Sequence, residues 1–170
     1  MTKFLCIAVA VILSACLSLI PAVPSFAQTT SAQKGAAVTN HATGPFDVKV
    51  TPQDDKTGDT TLGRMMLDKQ YHGDLEGTGK GQMLTAGTAV QGFGAYVAIE
   101  RVTGNLKGRT GSFILQHCGT MMQGVPQMTI TIVPDSGTGQ LAGIAGKLTI
   151  SIAADGQHSY NVEYTVPAVP

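Results

Sequence analysis

Cysteine is scarce in this chain of 170 residues, and the few there are sit unevenly. Two of the three, Cys6 and Cys16, fall within the first twenty residues, which leaves Cys118 alone in the remainder. An exported chain with a single cysteine has no internal disulfide, so its fold must rest on burial and hydrogen bonding. Charge is thin as well, at 13% of residues, and setting Lys3 aside leaves ten basic against eleven acidic side chains, a net charge of −1. The absence of a basic field argues against nucleic acid or an anionic membrane surface as partner, since both are bound mainly through clustered Lys and Arg. Beyond residue 27 no apolar run is long enough to span a bilayer, so no integral membrane segment is expected after the leader is removed. No segment carries a sustained helical stripe.

What apolar run there is stands at the front. Lys3 followed by the stretch Phe4 to Ile20 reads as a Sec signal peptide over residues 1–27, and PSFA, ending at Ala27, places cleavage before Gln28. The alternative is LSAC, residues 13–16, which resembles a lipobox and would make Cys16 a lipidated N-terminus. The residues after Cys16, LSLIPAV, are not the polar tether a lipoprotein usually continues into, so ordinary export to periplasm or medium is preferred. Pro21 and Pro24 interrupt the run and weigh against a membrane helix. Cleavage leaves 143 residues, enough for one domain with a proper core.

Residues 28–45, QTTSAQKGAAVTNHATGP, are small and polar without periodicity and read as a disordered leader. From Phe46 to residue 166 the texture changes: short stretches rich in Val, Ile, Thr, Phe and Tyr alternate with Gly and Asp clusters about every ten residues, the pattern of an antiparallel all-β domain. Strands are expected at 46–51, 64–72, 80–86, 92–102, 111–120, 127–133, 146–153 and 157–166, with a hairpin at ADG, residues 154–156. A weak repeat, G-x-L-x-G-x-x-G, occurs at GNLKGRTG (104–111) and GQLAGIAG (139–146), with a partial copy GDLEG (73–77). It reads as a glycine-shaped turn whose leucine packs back on the sheet, not as a phosphate loop, because neither copy ends in Gly-Lys-Ser/Thr or opens a helix. About eight strands in one domain fit a closed barrel, whose interior is just filled or holds one small ligand, or else a sandwich.

Strand alternation sorts side chains by face. In HSYNVEY, His158, Tyr160, Val162 and Tyr164 share the inward face; in SFILQHCGT, Phe113, Leu115 and His117 share one face and Cys118 points to the other. Adjacent residues of an extended strand cannot form a Cys–His nucleophilic pair unless a bulge separates them. In GFGAYVAIERV the set Tyr96, Ala98, Glu100 and Val102 opposes Ala95, Val97, Ile99 and Arg101, and both sets hold apolar residues, so this strand is ambiguous and its second apolar face is a candidate subunit contact. If Glu100 faces in beside His117, the two form a carboxylate–imidazole pair in an apolar interior, the candidate catalytic acid and base. The plainer reading pairs Glu100 with an arginine such as Arg109 and leaves His117 a core histidine. Tyr96, Phe113, His158 and Tyr160 are the candidate ligand-binding residues around that pair. The four histidines, His41, His72, His117 and His158, have no metal-ligand spacing, no G-x-S-x-G elbow is present, and no motif implies a cofactor.

YVAIERVTGNLKGRTGSFILQHCGT (96–120), VPDSGTGQLAGIAGKLTI (133–150) and HSYNVEY (158–164), preceded by YHGDLEGTGKG (71–81), together resemble the bacterial domain-of-unknown-function family numbered 3224, over roughly residues 44–166. The resemblance implies a single closed, antiparallel eight-stranded β-barrel like that of allene oxide cyclase. It implies no reaction. The expectation is an exported barrel holding a small, largely apolar ligand, with a cyclase or isomerase and a filled, self-associating structural barrel as the alternatives.

Overall fold

The structure, a computed structural model, describes residues 38–54 and 57–168. The expected signal peptide, the lipobox at Cys16 and the leader as far as residue 37 lie outside the described residues.

Eight strands close into a barrel in chain order: β1 (Asn40–Gln53), β2 (Leu62–Tyr71), β3 (Leu75–Gly87), β4 (Gly94–Leu106), β5 (Arg109–Met122), β6 (Val125–Ile132), β7 (Ala145–Ile152) and β8 (His158–Thr165). All pairings are antiparallel. β1 completes the circle by sharing its length, pairing through Asn40–Phe46 with β8 and through Phe46–Gln53 with β2. The β6–β7 seam is the thinnest, paired only through Ile130↔Leu148 and Thr131↔Lys147. Among the described residues no helix is long and apolar enough to cross a membrane.

Two hairpins turn through two residues each, Lys107-Gly108 (φ 48 and 87) and Gln123-Gly124 (φ 52 and 80). Positive φ at both positions matches the twist of the flanking strands, and glycine takes the second at no steric cost. The hairpin expected at ADG is present, with Gly156 at φ 87.

Two strands start five or more residues earlier than the sequence pattern indicates. β1 begins at Asn40, so residues 40–45, expected in the leader, are sheet. β3 begins at Leu75, so GDLEG is partly strand. In both, the inward positions are mostly small: Ala42 and Gly44 on β1, and Gly77, Gly79 and Gly81 after Leu75 on β3. A strand whose buried face is glycine offers no hydrophobic alternation to read. Gly44 must be small, because a Cβ there would overlap the His72 carbonyl oxygen and crowd the Tyr160 hydroxyl.

The two ends of the barrel differ. At the end carrying the β2–β3, β4–β5 and β6–β7 connections, Leu75, Leu106 and Leu141 are all fully buried, with Ile144 beside them. These three leucines are the leucines of the three repeat copies, and they pack inward as the repeat predicts. Leu141 belongs to a 3-10 turn, Gly139–Leu141, that caps this end. At the opposite end, where β1–β2, β3–β4, β5–β6 and β7–β8 connect, the inward side chains thin out and the core opens. Outside the wall, Leu84, Val97 and Ile99 are more than half exposed, which settles the two-faced strand: the Tyr96, Ala98, Glu100, Val102 set faces in.

Candidate functional site

A buried charged cluster sits midway along the barrel, where the packed half meets the open half. Glu100 and Lys69 are 0% and 5% exposed, and His117 is 3% exposed. Lys69 Nζ donates to Glu100 Oε2 at 2.7 Å and the Tyr71 hydroxyl donates to Glu100 Oε1 at 2.8 Å. Lys69 Nζ also reaches the Tyr71 oxygen at 3.4 Å and lies 5.0 Å from the centre of the Phe46 ring, a cation–π contact. His117 Nε2 lies 3.1 Å from Glu100 Oε2, but the ring is not aligned for a hydrogen bond, and this buried nitrogen has no other partner among the described residues.

Glycine lets this cluster form. Lys69 is on β2 and Glu100 on β4, so β3 runs between them, and the register sets Gly79 opposite Lys69 and Gly81 opposite Glu100. Neither glycine carries a side chain into the interior. A Cβ on Gly79 would overlap Glu100 Oε1 and press on the Tyr71 ring. An aromatic row fixes the Tyr71 ring from the other side: His158, Phe46, Tyr71 and Tyr160 follow one another with centroid separations of 5.2, 5.4 and 5.5 Å.

Burial alone would raise the Glu100 pKa, but it is outweighed by His117 and by the Lys69 ammonium, which hold the carboxyl below the ordinary glutamate value. Glu100 is therefore a carboxylate. Burial, and then the neighbouring Glu100 charge, push the Tyr71 hydroxyl far above the ordinary tyrosine range, so Tyr71 stays a neutral donor.

Above the cluster the open half of the barrel holds a cavity of about 180 Å³ that is open to solvent, lined by Phe46, Val48, Leu67, Met83, Tyr96, Met128 and Ile150 among others, with Lys69, His117 and His158 as its polar members. Glu100 does not line it and acts from beneath. A second hollow of about 230 Å³ adjoins at the rim and shares Met83, Tyr96 and Met128. A larger hollow of about 400 Å³ runs past Asp47, His72 and Gly156. Its side chains Asp47 and His72 are 87% and 45% exposed, so it holds no desolvated charge comparable to the interior cluster.

The structure thus brings Glu100 and His117 together in the interior, with Tyr96 and His158 in the cavity wall. Phe113 and Tyr160 belong instead to the packed half. Phe113 is 1% exposed in the core, and the Tyr160 hydroxyl is spent on structure, accepting from the Leu75 amide at 2.8 Å and donating to the His72 carbonyl at 2.9 Å. The arginine pairing considered for Glu100 is replaced by Lys69, since Arg109 turns outward to the Pro167 carbonyl. Cys118 is exposed on the outer face, and the unbroken register Ala98↔His117, Val97↔Cys118 leaves no bulge to rotate it inward. Lys69 and Tyr71 escape the sequence reading, although alternation along Met65, Leu67, Lys69 and Tyr71 puts all four on one face.

Residues 42–164 match the family described as protein of unknown function (DUF3224). The chain belongs to that family. A solved DUF3224 structure, described as a protein with unknown function from Shewanella oneidensis MR-1, is 44% identical, with a TM-score of 0.73 over 78% of this chain and 100% of that one. No curated protein matches the chain. DUF3224 therefore brings a barrel of known architecture and no assigned chemistry.

Proposed function

We propose that the open half of the barrel binds a small, largely apolar molecule whose single polar end is met by Lys69 and His117. The observation that carries this is the juxtaposition of an apolar cavity of about 180 Å³ with a buried, internally neutralised charge cluster at its floor. A cavity of about 150 Å³ already admits a benzene-sized guest. Methionine supports the reading: Met65, Met83, Met121 and Met128 stand on inward positions near the open end, and unbranched thioethers adapt to guests of differing shape. A Lys–Glu pair contributes no net charge, so the floor suits an uncharged oxygen acceptor better than a carboxylate.

Benzyl alcohol is a suitable first probe. It is expected to raise the melting temperature of the protein in a saturable manner, because a ligand that binds only the folded state stabilises by mass action. Met83→Trp, which fills the cavity from its wall, should remove the effect while the barrel remains folded. A wild-type protein indifferent to benzyl alcohol and to comparable apolar alcohols would overturn the reading.

A second reading, an isomerase or cyclase, is favoured by one feature: His117 lines the cavity while its Nε2 stands 3.1 Å from the carboxylate of Glu100. In that reading His117 moves the proton and Glu100 is the carboxylate beside it. Glu100→Gln should then lower turnover of an unsaturated substrate and alter its pH profile. A self-associating barrel is a third reading, supported only by the exposed outer patch of Leu84, Val97 and Ile99.

A further inference from the structure

Lys69 differs from the other described lysines in its surroundings. Lys80, Lys107 and Lys147 have side chains 71%, 49% and 63% exposed, and Lys49 is exposed as well. Lys69 alone among these projects into the barrel, where it lines the apolar cavity. Its ammonium has three N–H donors and spends them on Glu100 and Tyr71, which leaves one without a partner among the described residues.

We infer that Lys69 forms a reversible Schiff base with small apolar aldehydes in this cavity, with Glu100 as the counter-ion of the iminium. The inference rests on the ligand-cavity reading above and names the ligand class for it. A site built to hold one positive charge at Nζ against a carboxylate holds an iminium as well as an ammonium, because the charge and its location do not change.

The steps balance without an external reagent. The Lys69 ammonium passes a proton to Glu100 Oε2, to which it is already hydrogen-bonded at 2.7 Å. The amine lone pair forms the C–N bond as the carbonyl π pair moves to oxygen, and a proton shifts from nitrogen to that oxygen to give the neutral carbinolamine. Glu100 returns its proton to the hydroxyl, the C–O bond breaks with loss of water, and the nitrogen lone pair closes the C=N bond. The products are one iminium and one water, with the carboxylate regenerated. Glu100 stands as proton carrier between the two transfers and as counter-ion once the iminium has formed.

The test is reductive trapping in the wild-type protein. Incubation with benzaldehyde and sodium cyanoborohydride, which reduces an iminium and spares the free aldehyde, followed by digestion and peptide mapping, should place a benzyl group on Lys69 about tenfold faster than on Lys49, Lys80 or Lys147, since only Lys69 holds the aldehyde in place. Lys69→Arg keeps the charge, removes the nucleophile and should abolish that adduct. Labelling of the exposed lysines with Lys69 untouched, in protein that does bind benzyl alcohol, would overturn the Schiff base and leave the cavity reading standing. Failure to bind benzyl alcohol at all would overturn both. The wild-type map decides the matter even if the arginine variant does not fold.

Discussion

Lys69 on β2 and Glu100 on β4 meet at 2.7 Å across a strand that separates them, because β3 presents Gly79 and Gly81 to the interior between them. The two charges are buried together, and the lost hydration of each is offset by the other and by Tyr71, with Phe46 beside Lys69 and His117 beside Glu100.

Single removals should therefore be costly and the double removal less so. Lys69→Met or Glu100→Gln strands a buried partner and is expected to destabilise by about 3–5 kcal/mol. The double variant should be less destabilised than the sum of the two by at least about 1 kcal/mol. Urea unfolding of the four proteins closes the cycle, and strictly additive losses would show that the pair is not coupled.

Gly79→Ala places a methyl group where Glu100 Oε1 stands and should destabilise by about 1–3 kcal/mol through overpacking. Gly87→Ala, at an exposed position where a Cβ would meet only the Thr61 carbonyl oxygen at 3.7 Å, an ordinary van der Waals contact, serves as the control and should lie within about 0.5 kcal/mol of wild type. Equal effects at the two sites would remove the steric role assigned to Gly79.

Acid should weaken the fold through Glu100. Its folded pKa is lower than the unfolded value near 4.5, so its contribution is complete above that value and is lost as the pH falls through the folded one. In that window the unfolded chain binds a proton that the folded chain does not. Melting temperature against pH should fall more steeply for wild type than for Glu100→Gln, which has no proton to gain. Parallel acid limbs would contradict the assigned charge state.

At the closed end, Tyr160→Phe removes the acceptor for the Leu75 amide and the donor to the His72 carbonyl. The loss should be about 1–3 kcal/mol, with faster hydrogen exchange at the Leu75 amide while the mouth keeps its ligand. Unchanged exchange there would mean that the hydroxyl does not hold β3 to its neighbours.

The strand from Phe113 to His117 discloses its inward face in sequence and carries His117, whereas Tyr96 to Val102 has apolar residues on both faces, so the inward place of Glu100 is settled only by the exposure of Val97 and Ile99. Strands that bury glycine do not disclose theirs, and for that reason the starts of β1 and β3 lie outside the sequence expectation. Lys69 is hidden for a different reason. A lysine next to Asp68 and Gln70 looks like part of a solvated face, and only the carboxylate arriving from two strands away makes its burial affordable. Phe113 and Tyr160 are inward as alternation indicates, but alternation gives the face and not the height, and their height puts them in the packed half.

The central claim is that the methionine-lined mouth takes up a small apolar molecule above Lys69. Methyl spectra of protein labelled with carbon-13 at the methionine methyl groups, titrated with benzyl alcohol, test it most directly, since Met83 and Met128 line the cavity while Met66 and Met122 point outward. Saturable shifts confined to the inward methionines, and lost in Met83→Trp, are the predicted result. Shifts that are absent, unsaturable or equal at Met66 and Met122 would contradict it.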